Sequence, residues 1–227
     1  MWHSYFRQIQ NKYSMRISLK NPLVIRLDGK NVTKNKSLDL LNNYEGSFLY
    51  NLEKTVKYFA QKYHCYAIFG SDEVSFIFIN PRQVIEDLDR EKNDRTNEIV
   101  SMFAQYFFDY FNGLNHNIKV FWHAKCFSIS SDKIKSYIKY RSGIIKNVMT
   151  TYYLKKKNIN MGNEKLNIKE QECEKYDDIY ILKNVQDGIM YYNGERINLQ
   201  EFYKGNIEVI EERNDLNQDM FLDLLDF

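Results

Sequence analysis

Residues 66–79 read YAIFGSDEVSFIFI, two short apolar runs separated by the polar stretch GSDE at residues 70–73. Runs rich in aromatic and β-branched residues on either side of a glycine-containing turn are typical of a β-hairpin. The first run covers residues 66–69 and the second covers residues 74–79. The stretch therefore predicts two antiparallel strands whose connecting turn carries two adjacent acids.

Outside the hairpin, the spacing of apolar residues alternates between the period of a strand and the period of a helix. An apolar run at residues 23–28 (LVIRLD) predicts a strand. Apolar residues then recur at three- and four-residue steps, which predicts a helix from about residue 37 to residue 63. The elements predicted beyond the hairpin are a helix over residues 83–111 with a break near residue 93, a strand over residues 119–129 and a helix over residues 132–157.

The resulting order is β-α-β-β-α-β, the split arrangement of α+β proteins with a ferredoxin-like fold. Right-handed crossovers leave a gap beside the first strand, and the third strand fills this gap antiparallel to both neighbours. Asp28, at the end of the first strand, then lies at the same edge of the sheet as Asp72 and Glu73 in the hairpin turn. We therefore expect three carboxylates to meet at this edge.

The same pattern predicts how the chain is divided. Residues 1–157 carry the βαββαβ order and are predicted to form the main, catalytic domain. The periodicity weakens afterwards, and short strands are predicted at residues 177–183 and 188–192. Residues 158–227 are therefore predicted to be a small C-terminal appendage packed on the main domain.

Composition excludes several classes of protein. The 227 residues are 44% apolar, which suffices for a core, and 9 Gly and 2 Pro argue against low-complexity sequence. No run of about 18 apolar residues is present and the N-terminus does not resemble a signal peptide, so we expect no membrane partner and a cytoplasmic location. Cys65, Cys126 and Cys173 form no CxxC pair, which argues against a disulfide framework.

The formal net charge of +2 conceals an uneven distribution. Residues 119–157 hold ten Lys or Arg and one acid, whereas residues 158–227 hold seven Lys or Arg and sixteen acids. Such a cationic stretch can neutralise several phosphates, which favours a nucleic-acid partner; the alternative is a solvated helix face beside an acidic tail. The candidate RNA-binding residues are Lys133, Lys135, Lys139, Arg141 and Lys146.

Three converging acids repel each other unless cations neutralise them or one of them keeps a proton. Mg²⁺ prefers carboxylate and backbone oxygens together with substrate phosphates. Two such ions about 4 Å apart would hold the attacking and leaving oxygens of a phosphoryl or nucleotidyl transfer. Gly29 would let a triphosphate approach the backbone, and Lys30 adds positive charge beside it. The alternative is that Asp28-Gly29 and the SDE stretch are ordinary turns.

Several of these stretches resemble motifs of the tRNA-His guanylyltransferase family. Residues 26–30 (RLDGK) resemble its R-[IL]-D-G-[RK] motif, and residues 37–42 (SLDLLN) resemble the A-L-D-L-M-N helix that follows. Residues 70–76 (GSDEVSF) are similar to its Q-S-D-E-[YIV]-S-F hairpin. Residues 127–129 (FSI) and 137–141 (YIKYR) are similar to its F-S-I-P-S strand and Y-[FL]-x-W-R helix.

This resemblance implies a polymerase-type palm domain that adds nucleotides to the 5′ end of tRNA in the 3′-to-5′ direction. ATP or GTP activates a 5′-monophosphate, and the 3′-OH of the incoming nucleotide then attacks it. By resemblance, Asp28 and Asp72 hold two Mg²⁺ ions with help from the Gly29 carbonyl, Glu73 completes the acidic cluster and Ser71 contacts the nucleotide. The backbone amides implied to bind the triphosphate belong to Lys30, Asn31, Val32 and Thr33.

Departures from the family pattern bear on specificity. Only nine residues separate Asp28 from Leu38, so a longer family stretch is mostly absent, and the H-I-N-N motif of the tRNA-His-specific branch has no counterpart. Template-dependent 5′-end repair, as in the shorter guanylyltransferase-like proteins, therefore fits better than dedicated addition of one guanosine. The implied partners are nucleoside triphosphates and tRNA or another structured RNA with a 5′ phosphate, and the implied assembly is a homo-oligomer, either a tetramer or a dimer.

Two other functions stay open on the sequence. A palm-type cyclase would use the same carboxylates to make a cyclic nucleotide, because the attacking 3′-OH would then be intramolecular. A degenerate palm would bind RNA or a protein without chemistry. The intact acids argue against this last function, since a binding module has no need to keep a repulsive cluster.

Overall fold

Six strands, seven α-helices and one 3₁₀-helix (Ser131–Lys133) are present in the described part of the chain. The computed structural model describes residues 17–30, 32, 38–88, 96–114 and 119–205. The strands are β1 (Leu23–Gly29), β2 (Tyr66–Gly70), β3 (Glu73–Phe78), β4 (Trp122–Ser128), β5 (Ile189–Tyr192) and β6 (Glu195–Ile197). The helices are α1 (Phe48–Lys62), α2 (Pro81–Leu88), α3 (Thr96–Leu114), α4 (Ile134–Lys156), α5 (Leu166–Cys173), α6 (Ile179–Lys183) and α7 (Leu199–Lys204). No described helix is long and apolar enough to cross a membrane.

All six strands belong to one sheet with the order β4-β1-β3-β2-β5-β6. Strand β3 lies between β1 and β2 and pairs antiparallel with both, as the split β-α-β topology requires. In this register Glu73 lies opposite Asp28 on one side and opposite Gly70 on the other. The predicted α+β, ferredoxin-like fold is confirmed.

Helices α1 and α3 cover one face of the sheet through a cluster of aromatic rings. The ring of Phe59 in α1 lies 5.4 Å from Phe103 in α3 and 6.0 Å from Phe76 in β3. Trp122, at the start of β4, packs edge-on against Phe107 at 5.0 Å. Because side chains alternate along a strand, these contacts fix which residues of β3 and β4 point to the other face.

The other face is covered mainly over β2 and β3, by α4. The hydroxyl of Tyr137 in α4 lies 2.9 Å from the hydroxyl of Ser75 in β3. Ile145 packs so closely on β2 that a Cβ added to Gly70 would lie 2.4 Å from its Cγ2. On β4 the residues of this face are exposed, including His123 and Lys125. On the face that α4 covers, the sheet therefore stays open over β4 and the end of β1 that carries Asp28.

The residues that follow α4 extend the same sheet. Strand β5 pairs with β2, and β6 pairs with β5 across a turn at Asn193 and Gly194. Both turn residues have positive φ, which matches the two-residue hairpin turns favoured by Asn-Gly. The sheet thus contains strands from both sides of residue 158. The domain boundary at this residue stays a prediction. Residues 206–227 lie outside the described residues.

The helix expected from residue 37 begins only at Phe48. Asp39 accepts a hydrogen bond from the backbone amide of Leu41 at 3.0 Å, a local turn that competes with helix formation. Ser47 then caps α1 by accepting from the amide of Tyr50 at 3.2 Å. Short polar side chains therefore delay the helix by about three turns relative to its apolar periodicity.

The strand predicted at residues 177–183 is wrong, since this segment contains helix α6. Asp178, just before the helix, accepts a hydrogen bond from Lys157 Nζ at 2.6 Å and another from the Tyr153 hydroxyl. Both partners belong to the C-terminal end of α4, so the segment is anchored to that helix. The break predicted near residue 93 lies outside the described residues.

Candidate active site

The end of β1 and the β2–β3 turn meet at one edge of the sheet. The backbone amide of Gly29 donates a hydrogen bond to the carbonyl of Asp72 at 2.7 Å. Asp28 lies opposite Glu73 in the strand register, and its side chain is 48% exposed. The two acids that the sequence assigns to metal binding, Asp28 and Asp72, are therefore neighbours at the rim of the open area.

Gly29 leaves no space for a larger residue. A Cβ added there would lie 2.8 Å from Cγ2 of Val32, 3.2 Å from Cγ1 of Val120 and 3.3 Å from the carbonyl oxygen of Asp72. The carbonyl is backbone and cannot move aside without breaking its hydrogen bond to Gly29. The glycine therefore permits the close approach of β1 to the hairpin turn.

The loop after Gly29 already uses part of its hydrogen-bonding capacity. The amide of Lys30 donates to the carbonyl of Phe121 at 2.8 Å, while the Lys30 side chain is exposed. The amide of Val32 makes a long bond of 3.4 Å to the Gly29 carbonyl. Lys30 is thus available to a ligand through its ammonium group and not through its amide. The other two predicted triphosphate ligands, Asn31 and Thr33, lie outside the described residues.

Ser71 occupies the tight turn between β2 and β3. It is 1% exposed and has φ of 58°, the left-handed region that costs a non-glycine residue roughly 1–2 kcal/mol. Its hydroxyl donates to the carboxylate of Asp72 at 3.0 Å. This hydrogen bond orients the Asp72 side chain within a backbone that the surrounding sheet holds in place.

Glu73 is engaged by a cation of the protein. Arg141 of α4 donates through Nε to Oε1 at 2.9 Å and through its terminal nitrogen to Oε2. Only 5% of the Arg141 side chain and 12% of the Glu73 side chain are exposed. Burial raises the pKa of the Glu73 carboxyl, and the Arg141 guanidinium opposes that rise. Glu73 therefore lies beside Asp28 in the sheet, but its carboxylate is bound to Arg141.

The register also defines the side chains of the open area, which we call the β1–β4 face. Arg26 lies opposite Lys125, and Asp28 lies opposite His123, so all four point to the same side of the sheet. Nε of Arg26 is buried and has no hydrogen-bond partner among the described residues. A terminal nitrogen of Arg26 lies 3.8 Å from the Asp28 carboxylate, so Arg26 supplies positive charge beside that acid.

The basic helix predicted to bind RNA has two different flanks. Lys135 lies over the ring of Phe202 in α7, with Nζ 5.8 Å from the centroid. Lys146 pairs with Glu170 at 2.6 Å and with Asp187 at 3.6 Å, and its pKa is raised chiefly by Glu170. Lys135 and Lys146 therefore both contact residues that follow α4, and Glu170 and Asp187 neutralise the charge of Lys146.

The remaining basic-helix candidates are distributed over three environments. Lys139 is exposed and lies one turn after Lys135, on the same flank. Lys133 is exposed and pairs with its neighbour Asp132 at 3.1 Å. Arg141 is buried against Glu73, on the flank that faces the carboxylate edge.

Three solved structures share this architecture. A bacterial tRNA(His) guanylyltransferase (Thg1)-like protein in complex with GTP aligns with a TM-score of 0.64 and 15% identity, over 84% of this chain and 83% of that chain. A bacterial protein of the same description in complex with ATP aligns with a TM-score of 0.65 and 13% identity, over 91% and 97% of the two chains. The tRNA(His) guanylyltransferase from Saccharomyces cerevisiae aligns with a TM-score of 0.58 and 18% identity, over 85% and 93%.

The chain has the palm fold of these guanylyltransferase-like structures. The resemblance first drawn from the RLDGK and GSDEVSF stretches is thereby confirmed at the level of the fold. At the level of sequence, no protein-family model matches the chain and no curated protein does.

The sequence alone assigns no role to Arg26, His123 or Lys125. The signal was available in part, because Arg26 is two residues before Asp28 on the same strand and therefore shares its face. Placing His123 and Lys125 beside them required the pairing register of β4, which residue spacing alone does not provide.

Proposed function

We propose that this protein is a Mg²⁺-dependent nucleotidyltransferase that adds nucleotides to the 5′ end of tRNA in the 3′-to-5′ direction, in 5′-end repair or in guanylylation of tRNA-His. The observation that carries this proposal is the Gly29–Asp72 backbone hydrogen bond, which brings Asp28 and Asp72 to one edge of the sheet. The fold supports it, since solved structures that share it are complexes with GTP and with ATP.

The donor set at this edge fits Mg²⁺. The carboxylates of Asp28 and Asp72 and the carbonyl of Gly29 are hard oxygen ligands. The described residues include no group of three or more His, Cys, Asp or Glu that could hold an ion, in keeping with the engagement of Glu73 by Arg141. Phosphate oxygens and water would complete the coordination, which is the habit of Mg²⁺. When bound, two ions would neutralise phosphate charge and hold the attacking and leaving oxygens.

The surrounding residues supply positive charge for the phosphates. The Lys30 ammonium extends from the loop that follows Asp28, in reach of a triphosphate held at the edge. Arg26 lies beside Asp28, and Lys125 is exposed opposite Arg26 on β4, so the β1–β4 face can take the 5′-phosphate of the RNA. We keep the backbone amides of Asn31, Val32 and Thr33 as triphosphate ligands on the family resemblance. Ser71 would act by orienting Asp72.

Lys133, Lys135 and Lys139 stay proposed contacts for a more distant part of the RNA, because none of them pairs with an acid on another element among the described residues. Arg141 and Lys146 have carboxylate partners within the protein and would contribute less. The homo-oligomer and the cytoplasmic location remain predictions of the resemblance and of the composition.

The test is incubation of the purified protein with Mg²⁺, labelled nucleoside triphosphates and a 5′-monophosphorylated tRNA that lacks its first nucleotide. Label at the RNA 5′ end is expected with the wild-type protein and not with Asp28→Asn or Asp72→Asn. Asp177→Asn, which removes the charge of an exposed aspartate elsewhere on the surface, is the matched control and should retain activity.

Two results would contradict the proposal. A small labelled product that forms without RNA would indicate a cyclase using the same carboxylates. Absence of any product, with no Mg²⁺-dependent nucleotide binding, would instead indicate a palm that only binds RNA or protein.

A further inference from the structure

The lysines at the two ends of α4 have different partners. Near the C-terminal end, Lys156 pairs with Asp39 at 2.9 Å, an acid far away in the sequence. At the N-terminal end, three lysines pair with no acid on another element among the described residues, and we call them the lysine flank. They are Lys133, Lys135 and Lys139. The flank thus carries positive charge that no other described element neutralises.

The last described residue lies beside this flank. Helix α7 ends at Lys204, and Gly205 follows in the left-handed conformation with φ of 84°. A Cβ added to Gly205 would lie 3.6 Å from Nζ of Lys135. The ring centroid of Phe202, also in α7, lies 5.8 Å from the same atom. The chain therefore continues into residue 206 from a point next to Lys135.

Residues 206–227 have the complementary charge. They hold seven acids and the single base Arg213, and three of the acids come within seven residues of Gly205. These three are Glu208, Glu211 and Glu212. A chain advances at most about 3.3–3.6 Å per residue, so Glu208 is held within about 10 Å of Gly205 by its covalent connection alone. That distance is about the Debye length at 0.1 M salt, so the attraction to Lys135 is not fully screened.

The covalent connection also decides whether such pairs form. Single exposed ion pairs contribute little, because solvent and salt weaken them. A short tether makes the contact intramolecular, with an effective concentration in the millimolar range. Lys135 and Lys139 are about 6 Å apart along α4, so several acids of one segment can act on the flank together.

We propose that residues 206–227 bind the lysine flank of their own chain, through the three acids nearest Gly205. A second copy of the chain would offer the same charge, but the exit of the chain beside Lys135 favours its own segment. The same lysines are proposed contacts for RNA phosphates, so the bound segment would compete with RNA. This competition rests on the proposed function, whereas the docking does not.

Docking is measured on the full chain without RNA, nucleotide or metal. A carbodiimide joins a carboxylate to an amine in direct contact through an amide bond, with loss of water. Peptide mapping by mass spectrometry should find Lys135 or Lys139 joined to one of the three acids. The exposed pair of Lys183 and Glu174, 3.3 Å apart, is the internal standard for the reaction. Coupling to the flank should fall at 1 M salt, where the Debye length is about 3 Å.

Variants separate the segment from its general charge. Replacement of all three acids by Gln should remove the coupling to the flank. The matched control Glu164→Gln/Asp177→Asn/Glu195→Gln removes three exposed charges elsewhere and should keep it. The triple segment variant should also bind a 5′-monophosphorylated tRNA that lacks its first nucleotide more tightly than the control does, by about 3-fold or more, since three competing ion pairs are lost.

An equal mixture of ¹⁵N-labelled and unlabelled chains, refolded together from urea, shows which chain supplies the segment. Coupled peptides of a single isotope composition support the proposal, whereas peptides of mixed composition would overturn it and assign the segment to a second copy. Absence of coupling to the flank while the internal standard reacts would also overturn it. Failure of the proposed function is distinguishable, because a protein that couples as expected but binds no RNA contradicts only that function and the competition.

Discussion

Asp28 and Glu73 are directly opposite each other on neighbouring strands, yet they lie in different environments. The Asp28 side chain is 48% exposed, and a terminal nitrogen of Arg26 lies 3.8 Å from its carboxylate. The Glu73 side chain is 12% exposed and is bound at both oxygens by Arg141. The pairing of β1 with β3 makes the two acids neighbours. The position of α4 leaves Asp28 available to a ligand and buries Glu73 against Arg141.

The two carboxylates at this edge of the sheet should therefore serve different purposes, one in ligand binding and the other in stability. An exposed carboxylate without a bidentate partner can exchange water for a metal ion or a substrate at little cost. A buried carboxylate joined to a guanidinium must keep that partner, because an uncompensated buried charge is strongly destabilising. Variants of the two residues should therefore affect different measurements.

The largest effect on activity is expected for Asp28→Asn. Loss of the carboxylate should reduce nucleotide addition by more than the roughly 100-fold that loss of a supporting residue costs at a metal site. The midpoint of urea unfolding should change little, because the side chain is 48% exposed. Nucleotide addition at saturating Mg²⁺, measured beside the unfolding midpoint, checks both expectations. A stable variant with full activity would remove Asp28 from the site.

The largest effect on stability is expected for Arg141→Ala, because it leaves Glu73 buried without its partner. The free energy of unfolding should fall by about 3–5 kcal/mol, measured by urea denaturation. The double variant Arg141→Leu/Glu73→Leu should regain most of this loss, since apolar side chains replace both charges. If Arg141→Ala is as stable as the wild type, Glu73 is available for metal binding after all, and the contrast with Asp28 disappears.

The comparison also shows what the sequence could predict. The β-α-β-β-α-β order alone places Asp28 and the hairpin turn at one edge of the sheet, without knowledge of which residues pair. The pairing of Glu73 with Arg141, 68 residues away, depends on how α4 is rotated on the sheet. That rotation follows from the packing of residues such as Ile145 against Gly70, which no local pattern encodes. Residues 179–183 form a helix for a similar reason, since Asp178 just before them is held by Lys157 at the end of α4.

A smaller effect should distinguish two lysines on the outer flank of α4. Lys139 is exposed, whereas Lys146 pairs with Glu170 and Asp187. Lys139→Gln should lower the salt slope of RNA affinity by about 0.7–0.9, the contribution of one phosphate contact. Lys146→Gln should leave that slope unchanged and cost less than about 1 kcal/mol of stability. A larger slope change for Lys146→Gln would show that its acidic partners give way to the RNA.

The smallest effect concerns Asp39, a third carboxylate, which is held by Lys156 of α4 at 2.9 Å. Burial alone would raise the pKa of Asp39, but hydrogen bonds from Leu41 and Asn42, together with Lys156, lower it below the ordinary 3.8. A lowered carboxyl pKa contributes stability above pH 3.8 that is lost as the pH falls through the value in the folded protein. Asp39→Asn should therefore be less stable than the wild type at pH 7, by less than about 1 kcal/mol because the pair is partly exposed.

This deficit should shrink as the pH is lowered below about 4, where the wild type loses the same contribution. Urea unfolding at pH 7 and at pH 3 measures it, and Lys156→Gln should reproduce part of it because the lysine is one of the groups that lower the pKa of Asp39. A deficit of equal size at both pH values would mean that Asp39 stabilises the turn before α1 through hydrogen bonds that an asparagine cannot replace, and not through its charge. Asp39 would then differ from both Asp28 and Glu73 in acting through local backbone geometry.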